Sequence, residues 1–102
     1  MIRRIAQYTV KRDMLPTVES AIEEFVKAIT SAEPDTFYTA YRTANENTFI
    51  HFMVFPDSQA EAVHQKAAYT LKFVEVLYPN CEAQPQFSEL TLLQASQPLQ
   101  NI

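Results

Sequence analysis

The sequence predicts an α+β domain in the order βαββαβ, and two observations carry this prediction. Four segments are rich in β-branched and aromatic residues or alternate apolar with polar residues, and two longer segments repeat their apolar residues at helical spacing. The second and third strand segments are separated by a short polar stretch, which predicts a hairpin. Two βα units around a central hairpin give a ferredoxin-like sandwich, with an antiparallel sheet and both helices on one face. A chain of 102 residues forms a single domain, residues 1–102.

The first half of the chain begins with strand 1 over residues 2–11, where apolar and polar residues alternate. Helix 1 is predicted over residues 14–32, because Pro16 suits a first helical turn and Pro34 follows the helix end. Its apolar stripe comprises Val18, Ile22, Phe25 and Ile29. Strand 2 follows at residues 36–43.

The second half continues with a tight turn at residues 45–47, because asparagine tolerates the backbone angles of such turns. The turn leads into strand 3 at residues 48–55. Strand 4 is predicted within residues 85–93, and a polar, extended tail follows from about residue 95.

Helix 2 connects strand 3 to strand 4 and is predicted to run from Ser58 to a point before Pro79. Ser58 and Glu61 have the spacing of a capping box, and Asp57 adds negative charge at the same helix end. The apolar face is expected to comprise Ala60, Val63, Ala67, Leu71 and Val74.

Composition argues against several classes of binding protein. The chain contains no glycine, so it has neither a P-loop nor a dinucleotide-binding fingerprint. A net charge of −4 argues against nucleic-acid binding, which needs clustered cations. The basic residues near the N-terminus alternate with apolar ones, as on a solvated strand edge. They are Arg3, Arg4, Lys11 and Arg12.

Cysteine content and hydropathy predict a cytoplasmic protein without a membrane segment. A single cysteine, Cys81, cannot form an intramolecular disulfide, which suits a reducing compartment. The N-terminus has no apolar signal core, and no apolar run approaches the roughly 20 residues of a membrane helix.

Strand 3 is apolar on both of its faces. Ile50, Phe52 and Val54 share one face, and Phe49, Met53 and Phe55 share the other. A strand solvated on one side would alternate apolar with polar residues, so both faces are expected to be covered. The helices cover only one face, and the chain has no third layer. We therefore predict a homodimer through the open sheet face.

Three stretches carry a recognisable family pattern, namely EEFVKAITSAEPDTFYTAYR, TFIHFMVFPDSQAEAVHQKAAYTLKF and SELTLL. The first contains Glu33-Pro34 at a helix end and Tyr41-Arg42 at a strand end, and the second contains Asp57, His64 and Phe73. This pattern resembles the antibiotic biosynthesis monooxygenase (ABM) domain of the dimeric α/β-barrel superfamily. The resemblance implies a barrel formed by the sheets of two protomers. It also implies, for some members, cofactor-free oxygenation of phenols.

The chain departs from the family pattern at several positions. It has no tryptophan, and Phe55 stands where a strand-3 Trp is usual in the family. His51 stands where the phenol oxygenases carry an Asn. Haem-degrading relatives carry a helix-2 Trp at the position of His64 and a strand-1 Asn near Ala6, so the resemblance argues against haem degradation here.

His51 and His64 are the candidate catalytic residues. His51 shares strand parity with Met53 and Phe55, which makes it either a buried neutral imidazole bonded to a Tyr or Thr of a neighbouring strand or a donor facing a ligand. His64 flanks the predicted helix-2 stripe, where it either lies over the mouth of a cleft or makes a structural contact with a backbone group or a carboxylate. The expected substrate-binding residues are Phe55, Tyr8, Met53, Phe73 and Tyr69.

A metal site is not expected, because Glu61 and His64 form a single Glu-x-x-His motif where a di-iron bundle needs two such motifs. Glu89 is either a buried base candidate or a solvated edge charge, according to the face that strand 4 turns inward. We expect no cofactor.

Two functions fit these residues. The first is a cofactor-independent monooxygenase-like enzyme that acts on a small hydrophobic aromatic or quinone-type substrate. The alternative is a non-catalytic homodimer of the same fold that binds a small hydrophobic ligand or has a regulatory role.

Overall fold

The computed structural model describes residues 1–44, 47–99 and 102, and the predicted strand and helix order is confirmed apart from a break in the second helix. The main elements are β1 (Ile2–Thr9), α1 (Leu15–Ala32), β2 (Phe37–Arg42), β3 (Thr48–Phe55), α2 (Ser58–Lys66), α3 (Ala68–Leu77) and β4 (Gln86–Leu90). Short 3₁₀ turns occupy Arg12–Met14 and Tyr78–Asn80. The turn predicted at residues 45–47 includes residues 45 and 46, which lie outside the described residues.

The four strands form one antiparallel sheet in the order β2-β3-β1-β4. His51 lies at the centre of this sheet, opposite Ala6 of β1 on one side and Ala40 of β2 on the other. The sheet is open, as a single ferredoxin-like domain requires, so closure into a barrel would need a second copy. None of the helices among the described residues is long and apolar enough to cross a membrane.

The core lies between α1, α3 and one face of the sheet. Its buried side chains include Tyr8, Val18, Phe25, Ile29, Phe49, Phe73 and Leu77. Three of the four predicted stripe positions of α1 are therefore buried, and Ile22 is partly buried against the same core. The helix stops at Ala32, and the backbone N–H of Glu33 donates to the carbonyl of Ile29 at 2.8 Å. This end places Glu33 inside the molecule.

The second helix is broken, and two of the five residues of its predicted apolar face are exposed, whereas Ala60, Ala67 and Val74 are partly buried. Ala67 adopts an extended backbone (φ −63°, ψ 144°) that ends α2 and begins α3. Val63 and Leu71, expected to face the core, are 58% and 53% exposed. The break changes the helical phase, so one continuous stripe cannot describe both helices. The side chains that α2 and α3 bury are Glu61, His64, Phe73 and Leu77.

The predicted capping box at the start of α2 is also wrong. Asp57 is the N-cap residue, and its Oδ1 accepts a hydrogen bond from the backbone N–H of Ala60 at 2.8 Å. Ser58 is the first residue of the helix. The carboxylate of Glu61 does not fold back on the cap but turns inward to Arg4.

The sheet face away from the helices is rich in apolar side chains. Along β3, Ile50, Phe52 and Val54 alternate with the helix-facing residues and therefore lie on this second face. Phe37 of β2 is the register partner of Val54 and lies there too. Near the same face, Nη2 of Arg3 donates to the backbone oxygen of Ile102 at 2.8 Å.

Candidate functional site

A cleft of about 500 Å³ lies between the sheet and helices α2 and α3. It exists because the helices do not reach over β4. Phe87 of β4 is the register partner of Ala6 and faces the helix side, yet it is 60% exposed. The apolar part of the wall comprises Phe25, Met53, Phe55, Phe73, Leu77 and Phe87. A cleft of this volume with a mainly apolar wall suits a small, flat organic ligand.

Helix α2 contributes two titratable residues to the cleft, Glu61 at its rim and His64 deeper in its wall. Nδ1 of His64 lies 2.8 Å from Oε2 of Glu33, and both side chains are buried. A carboxylate only accepts hydrogen bonds, so Nδ1 carries a proton, and in the neutral form of the imidazole Nε2 has a free lone pair. Nε2 has no hydrogen-bond partner within the part of the chain that the structure describes. The pair therefore offers the cleft an acceptor nitrogen that is oriented by a carboxylate.

Glu33 is held by two further side chains. The hydroxyl of Tyr69 donates to Oε2 of Glu33 at 2.5 Å, and the hydroxyl of Thr36 donates to Oε1 at 2.9 Å. Burial and the hydrogen bond to Glu33 raise the pKa of Tyr69 to about 12, so its hydroxyl stays protonated and continues to donate. Three donors thus satisfy a carboxylate that would be costly to bury alone.

His51 lies behind the cleft wall and not on it, which differs from the ligand-facing position considered from the sequence. It is 1% exposed, and both ring nitrogens are engaged. Nε2 lies 2.7 Å from the hydroxyl of Tyr8, and Nδ1 lies 2.7 Å from the hydroxyl of Tyr38. Burial lowers the pKa of His51 to about 4, so the imidazole is neutral at pH 7. The alternative prediction, a neutral buried His bonded to a Tyr of a neighbouring strand, is confirmed.

Tyr8 and Tyr38 separate His51 from the cleft and line it themselves. Burial raises the pKa of both tyrosines above their ordinary value, so both hydroxyls are neutral at pH 7. The ring of Tyr38 also lies 5.7 Å from the ring of His64, measured between centroids. Tyr38 therefore lies between the two histidines, with its hydroxyl bonded to His51 and its ring beside that of His64.

Arg4 and Glu61 form the charged rim of the cleft. Nε and Nη2 of Arg4 donate to the two carboxylate oxygens of Glu61 at 2.5 and 3.1 Å, and Glu89 lies 3.6 Å from Nη1. The hydrogen bond to Glu61 raises the pKa of Arg4. The prediction of a solvated edge is wrong for Arg4, because the even positions of β1 face the helices. Glu89 is the exposed edge charge that one of the two predictions described.

The structure brings most of the predicted binding residues together. Phe55, Tyr8, Met53, Phe73 and His64 line the cleft. Tyr69 lines a smaller neighbouring pocket and reaches the site only through Glu33. The hydroxyl Oγ1 of Thr70, another residue of the cleft wall, is buried without a hydrogen-bond partner among the described residues.

Sequence reasoning did not assign Glu33, Tyr38, Arg4 or Glu61 to the site. For Tyr38, strand parity could have shown that it shares the helix face with His51 across the hairpin. The inward turn of Glu33 has no local signal, because it depends on where α2 docks. Among the described residues, no three or more His, Cys, Asp or Glu side chains are grouped as metal ligands would be.

Comparison with known proteins gives one family and many similar folds. The family model described as antibiotic biosynthesis monooxygenase matches residues 1–76. A solved antibiotic biosynthesis monooxygenase is similar with a TM-score of 0.83 at 19% identity, over 92% of this chain and 100% of its own. No curated protein matches the chain significantly.

Two structures from named organisms show the same likeness. A Mycobacterium tuberculosis protein has a TM-score of 0.82 at 15% identity, over 94% of this chain and 98% of its own. A Bacteroides thetaiotaomicron protein, reported as a candidate antibiotic biosynthesis monooxygenase, has a TM-score of 0.84 at 14% identity, over 97% and 95%. At these identities the likeness shows the fold alone.

Proposed function

Because the chain belongs to the antibiotic biosynthesis monooxygenase family, we propose that it is a cofactor-independent monooxygenase-like enzyme acting on a small hydrophobic aromatic or quinone-type substrate. The observation that carries the proposal is the Glu33–His64 pair at the wall of an apolar cleft. The family supplies the class of reaction, and the cleft supplies a place for a flat ring beside a base. Met53, Phe55 and Phe73 would contact the ring faces and edges.

In this proposal His64 is the general base. Its Nε2 accepts the hydroxyl proton of a phenolic substrate, and Glu33 stabilises the imidazolium through Nδ1. The resulting phenolate is electron-rich enough at carbon to react with O₂ directly. The apolar wall excludes water and keeps the phenolate oxygen in contact with His64.

The reaction balances without a cofactor. A ring carbon bonds to one oxygen atom of O₂, the O–O bond breaks, and the second oxygen atom leaves as water. The two hydrogens of that water are the hydroxyl proton held by His64 and the hydrogen of the attacked ring carbon. The phenol thereby becomes a quinone, and the substrate supplies all four electrons that reduce O₂.

We further propose that the working unit is a homodimer formed through the open sheet face. Ile50 and Phe52, both partly exposed, present an apolar surface there that the helices leave uncovered, whereas Val54 on the same face is already buried. Burying such a surface against its own copy is the usual solution for a small soluble domain. The ABM resemblance supports the same arrangement.

The test is oxygen uptake with a panel of naphthols and hydroquinones, measured with wild type, His64→Gln and Glu19→Gln. We expect His64→Gln to lower the rate by roughly 100-fold or more, as loss of a general base does. Glu19→Gln, which changes an exposed partner of Arg42, should keep the wild-type rate. Equal background rates in wild type and His64→Gln would refute the enzyme. Binding of a panel member without oxygen uptake would favour the non-catalytic ligand-binding homodimer.

A further inference from the structure

The buried chain Tyr8–His51–Tyr38 holds a fixed number of exchangeable protons. Each tyrosine hydroxyl has one, and the neutral imidazole has one. Two of these three protons occupy the two 2.7 Å hydrogen bonds on either side of His51. One proton remains, and it belongs to whichever tyrosine accepts from the imidazole.

The number of protons determines which tyrosine hydroxyl can donate a hydrogen bond to a ligand. When Tyr8 donates to Nε2 of His51, Nδ1–H donates to Tyr38, and the proton of Tyr38 is free. In the other tautomer the roles are reversed, and Tyr8 has the free proton. In either state one tyrosine can donate onward while the other can only accept.

We infer that Tyr8 and Tyr38 bind a ligand that carries one hydroxyl and one acceptor-only oxygen, a carbonyl or an ether. His51 is the positioning residue, because its imidazole leaves one tyrosine hydroxyl as a donor to the ligand and the other as an acceptor from it. Both tyrosines line the cleft, whereas His51 lies behind them. The inference rests on the proposed function only in taking this cleft as the ligand site, and it requires no turnover.

No charged side chain among the described residues contacts His51, so none fixes its imidazole in one tautomer. The groups that face it are the hydroxyls of Tyr8 and Tyr38 and the ring of Phe73, whose centroid lies 5.9 Å away. No carboxylate contacts His51 in the ranges that the structure describes, in contrast to His64 with Glu33. The two imidazoles therefore have different roles. His64 accepts a proton from the ligand, and the tautomer of His51 determines which tyrosine donates to the ligand and which accepts from it.

The test measures binding without oxygen by isothermal titration calorimetry. The probes are 4-methoxy-1-naphthol, with one hydroxyl and one ether oxygen, and 1,4-dimethoxynaphthalene, with two ether oxygens. In wild type we expect the naphthol to bind about tenfold more tightly, the gain from one added hydrogen bond. In His51→Leu this ratio should fall to about one, whereas His51→Gln, whose amide still accepts at one end and donates at the other, should retain it.

The test is independent of the role of His64, because the variants change only His51 and the experiment measures binding and not turnover. The extra methyl of the dimethoxy probe has the same bulk in every protein, so a change in the ratio reports the polar contact. A ratio that is unchanged in His51→Leu would overturn the inference, whether or not the protein consumes oxygen. Loss of the ratio in a folded His51→Gln would overturn it too.

A second measurement needs only wild type. In ¹⁵N-histidine-labelled protein, the Nδ1 and Nε2 shifts of His51 report the tautomer populations. Saturation with 4-methoxy-1-naphthol should move the His51 signals toward those of a single tautomer. Signals of His51 that do not change at saturation would contradict the inference.

Discussion

The buried carboxylate of Glu33, at the end of α1, lies 2.8 Å from Nδ1 of His64 in α2. This contact joins two elements that sequence patterns treat separately, since Glu33 follows one helix and His64 belongs to another. It also decides which imidazole nitrogen faces the cleft. The same pair therefore contributes to both the stability of the fold and the chemistry of the site.

Replacing Glu33 with Gln is expected to destabilise the protein by about 2 kcal/mol, the usual range for a buried hydrogen bond to a charged group. The amide keeps one acceptor oxygen where the carboxylate had two, so it cannot serve His64, Tyr69 and Thr36 together. Urea unfolding at pH 7 measures the change. Glu19→Gln is the matched control, because its pair with Arg42 is exposed and should contribute less than about 1 kcal/mol. Equal losses in the two variants would argue against a structural role for the Glu33–His64 contact.

The depressed pKa of His51 predicts a loss of stability in mild acid. The folded state takes up this proton only near pH 4, whereas an unfolded histidine does so near its ordinary value of about 6.5. Between these values the unfolded state binds more protons, so the free energy of unfolding decreases as the pH falls from about 6.5 to about 4. The contribution of His51 to this decrease is about 3 kcal/mol.

Urea unfolding of wild type and His51→Gln from pH 7.5 to pH 4 isolates this contribution. Carboxylates titrate in both proteins and cancel in the comparison. The stability of wild type should decrease more steeply than that of His51→Gln, with the difference appearing below pH 6.5. Parallel curves would show that His51 is not held neutral by burial.

Much of the fold could be predicted from the sequence because its signals are local. The continuous apolar run of β3 and the stripe Val18, Phe25 and Ile29 of α1 can both be recognised from neighbouring residues alone. The error in the second helix arose because Ala67 has no sequence feature of a helix break. A single extended residue there turns Val63 and Leu71 to solvent and Phe73 to the core.

The site was less predictable because its partners are distant in sequence. His51 meets Tyr8 and Tyr38 across the sheet, and strand parity could place all three on one face but not pair their atoms. Arg4 and Glu61 are separated by 57 positions, and each had a plausible local role, as a strand-edge charge and as a capping residue. The partly buried ion pair that they form at the rim of the cleft overrides both roles.

The open sheet face predicts an oligomer that one charge should disrupt. Phe52→Lys places an ammonium group at the centre of the proposed interface, where it would be desolvated without a partner. Sedimentation velocity should show a dimer for wild type and a monomer for Phe52→Lys. Leu71→Lys, on the exposed side of α3, should remain a dimer. A wild-type protein that sediments as a monomer would contradict the proposed interface.

The start of α2 allows a direct comparison between Asp57 and Ser58. Oδ1 of Asp57 accepts the N–H of Ala60 at 2.8 Å, and the carboxylate also favours the positive end of the helix dipole. Asp57→Ala should therefore reduce the free energy of unfolding by about 1 kcal/mol. Ser58→Ala should change it by less than about 0.5 kcal/mol, since Ser58 lies within the first turn. Thermal and urea unfolding of the two variants at pH 7 measure both values. A larger loss of stability for Ser58→Ala than for Asp57→Ala would indicate that Ser58, and not Asp57, caps the helix.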